Sequence, residues 1–454
     1  MSQVAKSRAT SRRLLPLLVL TLIAFFCGFF KSFNRPAPAS FLPPADVGQA
    51  DAAPTLRTYF VSTAGGPHRH APSLVELRDG RLRAFWFSGS REGASDVEIR
   101  SAVFDPRLGQ WGAETTVVDR MTTQRALWRY VKKLGNPVVE RSVDGKLHLY
   151  YVTVSLGGWA GSSITTMDSG DDGLSWSSPR RLITSPFLNI STLVKGAPFH
   201  YADGTIGLPV YHEFIGKFAE VLRLDTGGAV LDKQRLTHGR SALQPVVLVR
   251  DVARAQVLMR HGEGGLNRVM GTTTEDAGQH WAPPANTELA NPSAAVAGVA
   301  LPGGTLLTVL NNIESNRDAL SLLASNDGGL TWRLLHTLED QRALGGQPID
   351  PAAYAVGIQA LAQETLTAQG AKSSIANAQV FAAASSKIMC IEQRCNYEFS
   401  YPYLILTARG DVQLVYTWNR SFIKHVEFSH AWIEARLKAT LRNSTKAYDN
   451  ARLH

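Results

Sequence analysis

The carboxylates with the most regular spacing in this sequence are Asp171, Asp276 and Asp327. Each sits in the pattern Ser/Thr-x-Asp-x-Gly-x-x-Trp, spanning Ser169 to Trp176, Thr274 to Trp281 and Ser325 to Trp332. Their chemistry is structural. The carboxylate accepts hydrogen bonds from the backbone of its own turn, the glycine takes the positive-φ position, and the tryptophan tucks beneath the hairpin. Decayed copies stand at Asp105 with Gly109 and Trp111, and at Asp225 with Gly227. The cysteines are the other reactive group. Cys390 and Cys395 are close enough for a small disulfide loop in an oxidising compartment. With no Cys/His pair nearby they cannot fill a tetrahedral shell, so neither a metal nor a cofactor is expected. Cys27 lacks the small residues that precede a lipidated cysteine and reads as part of an apolar run.

The elements that position these residues are strands. Short runs such as Leu147 to Val154 alternate or are β-branched, and Asp-Gly and Gly-Gly pairs punctuate them, which is an all-β pattern. The turn aspartates at 105, 171, 225, 276 and 327 recur every 51 to 66 residues or so, the length of one four-stranded propeller blade. Dividing the chain by that period predicts a six-bladed β-propeller over residues 59–436. One segment breaks the period: residues 340–387 are rich in Ala and Gln, with helix formers in Ile358 to Leu366. This predicts a helical insertion that extends to the cysteine pair (340–395) on the propeller rim.

The 454 residues, 44% hydrophobic, suffice for a large core. Part of the formal charge of +9 lies in Lys6, Arg8, Arg12, Arg13, Lys31 and Arg35, around an uncharged apolar run from Leu14 to Phe30. The remainder is scattered, which argues against nucleic acid as a partner. The run, about 17 residues with more basic residues before it than after, is read as a transmembrane anchor. A cleaved signal peptide, ending near Ala37-Pro38-Ala39, is the rival. The reading is then a cytoplasmic basic N-terminus (1–13), an anchor (14–30), a Pro/Ala-rich stalk (31–58), the propeller, and a C-terminal tail (437–454). It places the propeller on the periplasmic side of the inner membrane. Oligomeric state is not legible.

The repeated turns resemble those of the sialidases, six-bladed propellers that cleave terminal nine-carbon acidic sugars. His70-Ala-Pro-Ser, Arg91-Glu-Gly, Gly135-Asn136-Pro137, Val194-Lys195, and Thr417-Trp-Asn-Arg420 with Lys424-His425 are most similar to a bacterial and plant branch of predicted sialidases whose substrates are mostly unassigned. The family grips the substrate carboxylate with three arginines, since guanidinium is a fixed bidentate partner for carboxylate. Arg260 and Arg317 resemble the second and third. At the first position stands His70, with Arg69 one residue early and read as a surface residue. The resemblance implies Asp96, on the loop from Arg91, as proton donor and Tyr401 as nucleophile, a tyrosine avoiding an anion set against the substrate's own carboxylate. The glutamate that activates the tyrosine is replaced by Gln244, and an amide cannot take the proton; Glu213 or His70 could substitute. Arg91, Asn136, Lys195, Gln244 itself, Arg420 and Lys424 complete the candidate substrate contacts.

The reading that follows is an exo-acting glycoside hydrolase releasing a terminal acidic sugar, sialic acid or a 2-keto-3-deoxy acid such as Kdo, from envelope or external glycans. One alternative is a lyase acting on uronates, with His70 or His425 and Tyr401 as base and acid. Another is a glycan-binding propeller without catalysis, favoured by Gln244.

Overall fold

The computed structural model describes residues 2–33, 37–47, 53–185, 189–239, 241–262, 266–344, 346–370 and 374–440. Six antiparallel sheets, five of them built of strands consecutive in sequence, form the blades of a propeller. Blade one comprises His68–Glu76, Leu82–Gly89, Glu98–Asp105 and Gln110–Trp111, and blade two Lys133–Arg141, Leu147–Val154, Ser162–Ser169 and Arg180–Arg181. In blade three the innermost position is shared by Leu193–Val194 and Phe199–His200, which both pair with Ile206–His212. Blade four runs from Ala242–Val249 to Ala285–Ala290 and blade five from Ala297–Ala300 to Arg333–Asp340. Blade six is closed by an exchange of ends: Leu56–Phe60 pairs with Phe422–Phe428, the last strand among the described residues. Ring closure of this kind leaves no long sheet edge exposed between the first and last blades.

The turn motif works as its residue types require. In the third strand hairpin of blade two, the Asp171 carboxylate accepts from the Ser175 N–H at 2.9 Å and the Ser169 hydroxyl accepts from the Gly173 N–H at 2.8 Å. The same bonds recur at Asp276 with His280 and at Asp327 with Thr331. Gly173, Gly278 and Gly329 all have φ between 83° and 93°, where a side chain would be strained. Trp332 is buried in the core between blades, and Trp176 and Trp281 pack partly buried against theirs.

The insertion is helical, with Pro351–Ala368 and Ser374–Met389 packed against each other and followed by a two-stranded hairpin that the Cys390–Cys395 disulfide closes. Tyr354, Ile358, Phe381 and Cys395 join the core of blades five and six, so the insertion is an integral wall of that side.

Two expectations at the N-terminus change. The apolar run lies in a helix, Ser2–Phe33, but no helix among the described residues is long and apolar enough to cross a membrane. The transmembrane anchor over 14–30 is therefore not supported: the uncharged run stops after about 17 residues, where a span takes about 20. The stretch read as a stalk is partly bound to the propeller. Phe41 is fully buried against Phe199 and Tyr201, and its N–H donates to the Val252 carbonyl. At the other end, residues 430–440 are helical and bury Trp432 and Ile433; positions 441–454 of the expected tail lie outside the described residues.

Candidate active site

The innermost strands of blades one, two, four and six share one irregularity. Each slips register at a non-glycine residue of positive φ followed by proline: Ala71-Pro72, Asn136-Pro137, Gln244-Pro245 and Tyr401-Pro402. The φ values are 41° to 52°, and each such residue costs on the order of 1 kcal/mol or more. A bulge both tolerates the proline and re-aims the side chain. Three of the four side chains meet in one place. The Tyr211 hydroxyl, on blade three, receives Asn136 Nδ2 at 3.3 Å and Gln244 Nε2 at 3.5 Å, and the same Gln244 amide lies 3.5 Å from the Tyr401 hydroxyl. Strain concentrated at one convergent polar cluster marks a candidate functional site.

Cations surround the cluster. Arg260, at the end of a blade-four strand, donates to the Ser293 hydroxyl at 3.2 Å and approaches Gln244 Oε1 at 3.5 Å. Arg317, on blade five, donates to the Ser293 carbonyl at 3.1 Å and faces Glu398 at 3.5 Å. Arg420, in the last hairpin of blade six, bonds the other oxygen of Glu398 at 2.6 Å. Burial alone would raise the Glu398 carboxyl, but Arg420 and Arg317 outweigh it and hold it below its ordinary range. The three guanidiniums are only partly covered, so each has donors to offer a ligand. Arg420 also bonds the chain beside His70, its carbonyl accepting from the Arg69 N–H at 2.8 Å. The Arg420 charge also reaches His70, the position where the resemblance led us to expect an arginine.

His70 is 1% exposed, its ring centroid 4.3 Å from that of Tyr401, and neither ring nitrogen has a protein partner. Burial, followed by the nearby His68, Arg420, Arg317 and Lys195, pushes its pKa well below 6.5. The imidazole is neutral, so it brings no charge to a carboxylate; one ring N–H can still donate to one, and the other nitrogen is a weak proton acceptor. Lys195 is buried beneath Tyr401 and Tyr403, donating to the Pro402 carbonyl at 2.8 Å. It therefore secures the bulge that carries Tyr401 and is not open to solvent for a substrate. Burial lowers its pKa to about 7. The next residue, Gly196, has no side chain where blade three crosses blade four; a Cβ there would collide with the Pro245 carbonyl oxygen.

Other sequence candidates lie elsewhere. Asp96 is exposed and closes its own loop, accepting from the Ser90 N–H and hydroxyl at 2.9 and 3.0 Å. On the same loop Arg91 is exposed, whereas half-buried Glu92 is close enough for its charge to support Arg420 and Lys133. Glu213 is half-buried at the end of a blade-three strand, near Tyr211 and Lys133. Two candidates are corrected outright. Lys424 is buried in an ion pair with Glu339 at 2.6 Å that also receives the Tyr416 hydroxyl. His425 is fully buried against Tyr59, Phe104 and Trp111 with its Nε2 on Gln413, so it cannot act as a lyase base. In strand Phe422–Phe428 both faces are buried between blades. Arg69 is not a surface residue: it is 2% exposed and pairs with Glu114 at 2.6 Å. Sequence reasoning missed Tyr211, Glu398 and Glu92; the Asn-Pro, Gln-Pro and Tyr-Pro pairs were the signal for the bulges.

A family model described as a BNR repeat-like domain matches residues 80–414. No curated protein sequence matches the chain. Among solved structures, a Hadza microbial sialidase aligns with a TM-score of 0.58 at 16% identity, covering 81% of this chain and 67% of that one. A protein of unknown function from Dyadobacter fermentans aligns at 0.59 and 10%, covering 82% and 99%. An intramolecular trans-sialidase from Ruminococcus gnavus aligns at 0.55 and 11%, covering 82% and 97%. At these identities the likeness is one of fold.

Proposed function

The chain belongs to the BNR repeat-like domain family and has the sialidase fold, and from that premise we propose that it is an exo-acting glycoside hydrolase releasing a terminal acidic sugar. The observation that carries the reading is the convergence of Arg260, Arg317 and Arg420 from three blades beside the strained Tyr401. Three guanidiniums suit a carboxylate that must be held in a fixed orientation, and Arg420 takes the place of the arginine that His70 displaces.

In this reading the Tyr401 hydroxyl attacks the anomeric carbon and its proton passes to neutral His70. The glycosidic oxygen leaves with a proton from a carboxylic acid on the 90–96 loop. Asp96 is the residue the family position implies; Glu92 is the one nearer the cations. Gln244 donates to the tyrosine oxygen and so favours the phenolate, while water later cleaves the glycosyl–tyrosine bond to free the sugar. Sialic acid and Kdo both present a carboxylate on the anomeric carbon, and both remain candidate substrates.

The Cys390–Cys395 disulfide supports an extracytoplasmic site for the propeller. The exposed apolar side chains from Leu14 to Phe30 support contact with a membrane surface, and envelope or external glycans are then the accessible substrates.

The test is a released-sugar assay on the full chain with sialyl, Kdo and uronate glycosides. Free sialic acid or Kdo supports hydrolysis. An unsaturated, ultraviolet-absorbing product would mean a lyase, and binding without any product would mean a glycan-binding propeller.

A further inference from the structure

The innermost strands that carry the site at one end line a second cavity at the other. Strand Lys133–Arg141 runs from Asn136 at the site to Glu140, Ala242–Val249 from Gln244 to Val249, and Phe399–Leu406 from Tyr401 to Leu406. At about 3.3 Å per residue these far ends lie about 13–16 Å along the channel from the site. Together they line a cavity of about 900 Å³ with mostly aliphatic walls. The segment after Phe41 lines it too. Its Leu42 N–H donates to the His200 carbonyl of blade three at 2.9 Å. Its Val47 lies against Gly410 of blade six, where a Cβ would come within 2.6 Å of the valine methyl. The segment therefore runs from blade three to blade six along this cavity.

Glu140 is the buried acid of that lining. It is 5% exposed, and neither of its carboxyl oxygens has a hydrogen-bond partner among the described residues. The Nε2 atoms of His200 and His148 lie 3.5 and 3.8 Å from them. His148 is already bonded through Nδ1 to Asp168 at 2.7 Å. Arg141, the next residue, directs its donors to the Glu76 and Gly145 carbonyls and to Asp172. Burial, with the charges of Asp144 and Asp168, outweighs Arg141 and raises the Glu140 pKa well above 4.5. The field at this carboxyl is negative, and donors for its two oxygens must come from outside the chain's own contacts.

Small-molecule sites are mostly apolar, with a few placed polar groups, and this cavity is in their size range. A buried carboxyl with unpaired oxygens is satisfied best by an ammonium, which donates charge-assisted hydrogen bonds to it. The pairing also removes the cost of a lone buried charge. Aliphatic walls beside it take up hydrocarbon. We propose that this cavity is a binding site for a small apolar molecule bearing a protonated amine, with the ammonium on Glu140. The cavity lies at the opposite end of the channel from Arg260, Arg317 and Arg420, and the proposal does not rest on the hydrolase reading.

Calorimetric titration of the full chain tests this with two probes, 4-phenylbutylamine and 4-phenylbutanol, which share a hydrocarbon and differ in charge. The amine should bind about 10-fold tighter than the alcohol, the scale of one charge-assisted hydrogen bond. Glu140→Gln keeps the shape without the charge. It should remove the difference while leaving the alcohol's affinity within about twofold. Hydrogen exchange of the unaltered chain at saturating amine should slow in the peptides covering residues 39–47 and 133–141. Equal affinities for the two probes, or an amine preference that survives in Glu140→Gln, overturns the proposal. So does protection confined to other segments, or no binding of the amine at all. The exchange measurement decides the location even if Glu140→Gln does not fold.

Discussion

Replacing Lys195 with methionine should make the protein more stable at pH 6 and progressively less so as the pH rises. The ammonium is buried with one hydrogen bond, to the Pro402 carbonyl, and burial brings its pKa from 10.5 down to about 7. The sign follows from proton binding. Between about pH 7 and 10.5 the unfolded chain holds a proton at this lysine that the folded chain has released, so folding stability rises with pH across that window. Below about pH 7 both states are protonated and the folded state bears the full cost, on the order of 5 kcal/mol. Methionine removes that cost but leaves the Pro402 carbonyl unpaired, which costs about 1–3 kcal/mol. The variant should gain about 2–4 kcal/mol at pH 6 and lose the advantage by pH 9.5. Urea unfolding under non-reducing conditions at pH 6, 8 and 9.5 measures it for both proteins. A stability gap that does not vary with pH would refute the assignment of a buried, depressed lysine. The same variant should lower kcat at least 10-fold, because the tyrosine bulge loses its tether.

Three further outcomes follow from the site. If the hydrolase reading holds, His70→Gln should reduce kcat by about 10²-fold, the scale of a lost general base; because burial depresses the His70 pKa well below 6.5, the unaltered chain's pH–rate profile should show no histidine limb between pH 8 and 6.5, and a limb at 6.5 would exclude His70 as base. Arg420→Lys retains the charge but not the bidentate fork, so KM for an acidic sugar glycoside should rise about 10-fold, whereas an unchanged KM would remove Arg420 from the carboxylate grip. Gly196→Ala drives a Cβ into the Pro245 carbonyl and should cost about 1–3 kcal/mol in unfolding measurements; neutrality would contradict the close crossing of blades three and four.

The blades were legible because their marker is local. Each Asp171-type turn satisfies its own carboxylate within five residues, so the chemistry is written in consecutive letters. The closing strand Leu56–Phe60 was hidden, since it follows a Pro/Ala-rich stretch and gains its partner only from Phe422–Phe428 at the far end of the chain. The site divides the same way. Tyr401, Gln244 and Asn136 were named from the resemblance alone; the proline after each, which goes with its bulge, is a local signal that the reading did not use. The grouping of Arg317, Arg420 and Glu398 was not, because it joins an inter-strand loop of blade five to two segments of blade six, and no sequence period links them. Lys424 and His425 misled because they came with the resemblance as a motif, whereas both faces of strand Phe422–Phe428 are buried.

The central claim is that Tyr401 attacks the anomeric carbon of an acidic sugar. Incubating the full chain with a fluorinated acidic-sugar analogue that carries a good leaving group, then digesting it and locating the added mass by mass spectrometry, tests this directly. The account predicts one glycosyl adduct on Tyr401, absent from Tyr401→Phe. An unmodified chain, or the adduct on another residue, contradicts it.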